Sequence, residues 1–151
     1  MLKLKAFDEI SGAHAGWLEA KQHFAAGPYG NPAHQPIGNL IVLNDDEVAP
    51  RTGFGLHHHA SVEIVSYIRE GIVTHGDDQG NIGKTHAGDV QVTSAGTGLR
   101  HSEHNERDVP VRLFQMWLKT SRPGGHPQWG NKPFRRQIVP GCLCPSPAVA
   151  T

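Results

Sequence analysis

From Asn39 to Lys119 the chain is a succession of short apolar stretches separated by turn residues, and the period within most stretches is two. Asn39 to Leu43 is a short apolar run that reads as a buried strand, ended by Asn44, Asp45 and Asp46. Val62 to Ile68 is apolar and β-branched, Glu70-Gly71 makes a turn, and Ile72 to His75 reads as the returning strand. Asp77, Asp78, Gln79, Gly80 and Asn81 form a polar hairpin tip. Lys84 to His86 leads to a second turn at Gly88-Asp89. Beyond it Val90 and Val92 alternate with Gln91 and Thr93, the period of a half-buried strand. Ala95 to Gly98 is a tight connection, and Leu99 to Glu103 reads as a strand leaving it. Val111 to Lys119 is a long strand with Leu113, Gln115, Trp117 and Lys119 on one face and Phe114, Met116 and Leu118 on the other.

The flanks carry less signal. Leu2 to Phe7 alternates and predicts a strand. His14 to Phe24 has no clear period, with Trp17, Leu18 and Phe24 as its anchors, and Gly27 to Pro36 has the composition of a loop. After Ser121 the chain turns to Pro, Gly and Arg, and Pro145 to Thr151 reads as a frayed tail. There is no heptad, long amphipathic helix or internal repeat. Short strands with Gly turns predict an all-β protein, an antiparallel sandwich or jelly-roll barrel.

Composition narrows the classes. With 151 residues the chain is most simply one domain with a sizeable core. Its 18 Gly and 11 Pro suit strands and turns. Fourteen basic and 14 acidic side chains cancel, so nothing in the charge draws the protein to nucleic acid or a membrane surface. No apolar run is long enough for a signal peptide or approaches the roughly 20 residues that span a bilayer, so a cytoplasmic protein is expected. Cys142 and Cys144 flank a single residue; no structural disulfide is expected there, and a lone C-x-C is a weak metal signal.

The 11 His change the picture. Residues two apart in a strand share a face, so His57 and His59 point one way, and so do His101 and Glu103. On neighbouring strands these would bring three imidazoles and a carboxylate together, a donor set that zinc, iron, nickel, copper and manganese all accept. Glu63 has the strand parity of His57 and His59 and rivals Glu103 as the carboxylate. His58 and His104 have the opposite parity and should point away. His75 and His86, on the next hairpin, read either as groups behind the ligands or as exposed strand His.

Gly53-Phe54-Gly55, the His pair at 57 and 59, and Glu63-Ile64-Val65-Ser66-Tyr67 resemble the first cupin motif. Gly88-Asp89-Val90-Gln91 with Ala95-Gly96-Thr97-Gly98-Leu99-Arg100-His101-Ser102-Glu103 resembles the second. The run from Gly53 to Trp117, including Asp77 to Asn81 and Gln115-x-Trp117, is similar to the N-terminal domain of pirins and pirin-like bacterial quercetinases. So are Gly16-Trp17-Leu18 and Asn44-Asp45-Asp46, and the resemblance covers residues 10 to 120. It implies a single cupin, an antiparallel jelly-roll β-barrel over residues 1–120, with 121–151 as a partly irregular C-terminal extension. It implies that His57, His59, His101 and Glu103 hold one divalent metal, with Fe(II) foremost and Ni, Cu, Mn, Co or Zn as others, and that Glu63 is a packing or supporting residue.

The implied activity is oxygenolytic opening of a flavonol ring by O2 with loss of CO, Glu103 acting as general base. Phe54, Leu56 and Met116 would line the pocket, Met116 alternatively packing in the core. The family also implies a second reading, a non-catalytic metal-binding regulator that senses redox through Fe(II) and Fe(III). A third is a small cupin isomerase or stress protein without oxygen chemistry. Two departures stand out. His58 replaces the family's usual Pro, and the chain carries one cupin domain where pirins have two. A homodimer is therefore expected, with Pro133 to Val139 contributing to the contact.

Overall fold

The structure is a computed structural model that describes residues 6–25, 32–120 and 123–134. Most of the strand expected over Leu2 to Phe7, part of the loop expected over Gly27 to Pro36, Cys142, Cys144 and most of the expected dimer-contact tail lie outside the described residues. Phe7–Glu9 is a turn of 3-10 helix rather than a strand. Everything else regular is β: β1 (Gly12–His14), β2 (Leu18–Gln22), β3 (Leu40–Val48), β4 (Gly53–His59), β5 (Val62–Glu70), β6 (Ile72–Asp77), β7 (Ile82–His86), β8 (Asp89–Ser94), β9 (Leu99–His104), β10 (Val111–Lys119) and β11 (Gln128–Pro133).

All pairings are antiparallel and form two sheets, ordered β1-β2-β3-β10-β5-β8-β11 and β4-β9-β6-β7. This is the all-β jelly-roll architecture expected. The turns fall where the Gly residues stand: Gly71 and Gly88 have φ of 81° and 90°, values a side chain disfavours. At the β6–β7 tip, the Asp77 carboxylate accepts the backbone N–H groups of Gln79 and Asn81, which closes the hairpin.

The interior is layered. At one end Val48, Ile68, Val73, Val111 and Leu113 form an apolar cluster, with Trp17, Leu18 and Phe54 against it. At the other end Val62, Ile64, Ala95 and Leu99 form a second, with Ile41 and Trp117. Burying each such side chain is worth about 1.5–3 kcal/mol. Between them the larger sheet carries a polar row: Gln22, Asn44, Gln115, Ser66, Gln91 and Asn131 stand side by side across β2, β3, β10, β5, β8 and β11.

That row overturns two readings. Asn44, Asp45 and Asp46 do not end β3, which runs on to Val48 with Asp46 buried. In β8 Gln91 and Thr93 are buried while Val92 is exposed, the reverse of the usual apolar-in alternation. The outer face of the sheet is correspondingly apolar, a groove of about 670 Å³ lined by Leu43, Val65, Tyr67, Val90, Phe114, Met116 and Phe134. Met116 thus lies on the outside of the sheet, in neither the core nor the barrel interior. At one rim Arg69 pairs with Asp45 and lies over the Phe114 ring at 4.5 Å.

Candidate metal centre

Strand β4 delivers two imidazoles and β9 the third. His57 and His101 are directly opposed in the ladder, and His59 opposes Leu99. Between Phe54 and His57 the register shifts by one residue at Gly55-Leu56, a bulge that turns His57 inward. Gly53 allows the two strands to close there, since a Cβ would collide with the Glu103 backbone carbonyl. The His57 Nδ1–H donates to the Gly55 carbonyl at 2.7 Å, which leaves Nε2 as the free lone pair.

The ligand nitrogens of His57, His59 and His101 all lie within 4.8 Å of one another. The Nε2 atoms of His57 and His101 are 3.1 Å apart. Two nitrogens bound about 2.1 Å from one ion at a right angle would stand roughly 3.0 Å apart, so the spacing fits a shared metal. Burial, then the neighbouring imidazoles, push the His101 pKa down to about 3 and that of His59 to about 4. Both rings are therefore neutral at neutral pH, the form in which imidazole binds metal.

The other candidates separate clearly. Glu103 is buried on the face of His101, but its carboxylate stands outside the imidazole cluster. It accepts hydrogen bonds from Gln115 Nε2 at 3.0 Å and from Gln91 Nε2. Burial pushes Glu103 up to about 7, against the pull of those two amides. Glu63 does not share the face of His57 and His59. The chain reverses at Ala60-Ser61, where Ser61 has φ 54°, and Glu63 sits on β5 in the other sheet, bonded by the Ser94 hydroxyl. His58 and His104 point outward as expected, and His86 is exposed.

His75 is fully buried, its Nε2 3.0 Å from Asp77 and its ring stacked on Trp129 at 4.6 Å. It packs 5.4 Å from the His101 ring, so it stands behind the imidazole cluster. Phe54 and Trp117 flank the triad, with ring centroids 6.2 Å from His57 and 4.8 Å from His59. Leu56, on the bulge, is exposed.

Three partners escaped the reading of the sequence. Gln91 and Gln115 reach Glu103 from the opposite sheet, and Trp129 reaches His75 from β11, a strand in the extension that was expected to be partly irregular. The available signal was parity: Gln115 shares a strand face with Leu113 and Trp117.

Asp46 is the fourth. It is buried, with one carboxylate oxygen lacking a partner among the described residues. Burial, then the charges of Glu103 and Asp45, raise it to about 7. A carboxyl whose folded pKa exceeds its unfolded value of 3.8 holds its proton better when folded, so stability falls as pH rises from about 4 to 7. Asp46→Asn should remove that loss. The metal-free variant should gain melting temperature over the wild type at pH 7.5 and not at pH 4, the gain bounded by about 4 kcal/mol. Equal effects at the two pH values would contradict it.

Residues 4–118 match the family model for Pirin. A pirin-like protein of Caulobacter vibrioides is 50% identical over 134 residues, covering 89% of this chain and 58% of that protein. The quercetin 2,3-dioxygenase of Escherichia coli K12 is 36% identical over 135 residues, again 89% and 58%. The crystal structure of the Escherichia coli pirin YhhW in complex with nickel(II) superposes with a TM-score of 0.81 at 36% identity, covering 85% of this chain and 56% of that one. The chain thus spans a little over half the length of the curated relatives it matches. Its cupin barrel, its imidazole cluster and these likenesses agree, and the chain belongs to the pirin family.

Proposed function

We propose that the protein is a metal-dependent dioxygenase that opens a flavonol ring with O2 and releases CO. The observation that carries this is the convergence of three imidazoles beside a buried carboxylate. Relatives 36–48% identical bear names of the quercetin 2,3-dioxygenase type, which supports the substrate class. His57, His59 and His101 would hold the metal, with Glu103 as the carboxylate that joins them. Fe(II) is the metal proposed, on the family resemblance; the donor set itself also accepts nickel, copper, manganese and zinc. When bound, the metal supplies Lewis acidity toward the flavonol hydroxyl and carbonyl and a site for O2 chemistry.

The protein's own residues do the rest. Glu103, the buried carboxylate beside the triad, takes the 3-hydroxyl proton as general base. Phe54 and Trp117 offer flat surfaces for a polyphenol beside the triad. Both atoms of O2 enter the ring-opened ester, and C3 leaves with its oxygen as CO. The test is absorbance: metal-loaded protein should bleach a flavonol in air, and no bleaching with Fe, Ni, Co, Cu or Mn would refute the activity.

A homodimer belongs to the same proposal. Its support is the apolar outer face, a contiguous groove lined by seven apolar or aromatic side chains rather than scattered ones. The wild type should sediment as a dimer and Met116→Lys as a monomer with little change in melting temperature. A monomeric wild type at tens of micromolar would contradict it.

A further inference from the structure

Glu103 is held in an unusually determinate way. A glutamine amide can present either its oxygen or its nitrogen, and the neighbouring donors decide which. The Trp117 indole N–H, a donor only, lies 2.9 Å from Gln115 Oε1, so Gln115 must turn its nitrogen to Glu103 Oε2. Thr85 Oγ1 lies 3.0 Å from Gln91 Oε1, and Asn131 Nδ2 donates to that hydroxyl at 3.1 Å, leaving the hydroxyl proton for Gln91. Gln91 then turns its nitrogen to Glu103 Oε1. Each carboxylate oxygen receives one amide, and neither amide is free to flip.

This chain of Asn131, Thr85, Gln91, Glu103, Gln115 and Trp117 crosses the barrel between the two apolar clusters. A layer of well-packed apolar side chains would serve stability as well or better, so a buried polar network of this completeness calls for another role. Its centre, Glu103, is two residues from His101 on the same strand face.

We propose that Gln91 and Gln115, pinned by Thr85 and Trp117, are positioning residues that set the plane and reach of the Glu103 carboxylate toward the metal held by the three imidazoles. This rests on the reading that Glu103 acts at the metal, and it extends the site into the opposite sheet.

The test is a double-mutant cycle on Co(II) binding, read by visible absorption. Gln115→Leu should weaken Co(II) binding about tenfold and alter the absorption bands, as loss of a ligand's supporting partner does. In a Glu103→Gln background the same change should have less than a twofold effect. Gln91→Leu should behave alike. Should Gln115→Leu fail to fold, Thr85→Val, which releases the Gln91 amide, is compared in the same two backgrounds. Equal factors in both backgrounds, or unchanged affinity and bands in the wild-type background, would overturn the proposal. No effect of Glu103→Gln itself would overturn it through Glu103, and no Co(II) binding by the wild type through the metal centre.

Discussion

His57→Ala and His101→Ala should each weaken divalent metal binding by on the order of 100-fold or more. Loss of a group that merely supports a ligand already costs 10–100-fold, and these substitutions remove ligands themselves. The two should differ in the metal-free protein. His101 is fully buried between His57, His59 and His75, so its removal opens a cavity and costs about 2–4 kcal/mol. His57 is half-buried at the bulge and its loss should leave the melting temperature of the apoprotein nearly unchanged. Added metal stabilises by its occupancy of the folded state, about 2.7 kcal/mol at a free concentration 100 times Kd, and this increment should vanish in both variants. Calorimetric titration with Ni(II) or Co(II), beside melting curves with and without metal, reads both effects. A wild-type metal increment retained in His57→Ala would contradict the assignment.

The second large effect falls on turnover. Glu103→Gln should lower flavonol turnover about 10³-fold, the usual worth of a general base, while the three imidazoles still take up metal at saturating concentration. The substitution keeps the size of the side chain, but its amide accepts from only one of Gln91 and Gln115 and turns an N–H toward the other. It cannot take the substrate proton. The pH profile is the discriminating readout. The wild-type rate should fall on the acid side as Glu103 takes up its proton, and the residual rate of Glu103→Gln should lack that limb. A variant that bleaches flavonol at more than a tenth of the wild-type rate would show that the proton goes elsewhere.

Most of the strand frame is readable from period two and Gly turns, because Gly71, Gly88 and Gly96 to Gly98 stand where strands end; only the Asp77 to Asn81 turn closes a hairpin, the others carrying the chain from one sheet to the other. The imidazole triad was legible for the same reason: H-x-H in a strand places both rings on one face whatever the rest of the fold does. The misplaced faces of the larger sheet share one physical cause. Hydropathy marks the interior only where the interior is apolar, and this barrel carries a polar layer around Glu103. Hence Asp46 looked like a strand end and Met116 like core or pocket, and the alternation in β8 did not show which face is buried, although the register places Asp46 and Gln91 inside and Met116 outside. Glu63 was misjudged for a local reason, since parity was carried through the reversal at Ser61. Strand β11 gave little warning because Gln128 to Pro133 has no alternation; its hold comes from Trp129, whose indole lies against Gly83 where no Cβ intervenes.

The claim beneath all of this is that His57, His59 and His101 form a metal centre. Elemental analysis of protein never exposed to chelator addresses it most directly. The account predicts close to one divalent transition-metal ion per chain in the wild type, lost in His101→Ala, whereas wild-type protein with less than about a tenth of an ion per chain, and none taken up on titration, would contradict it.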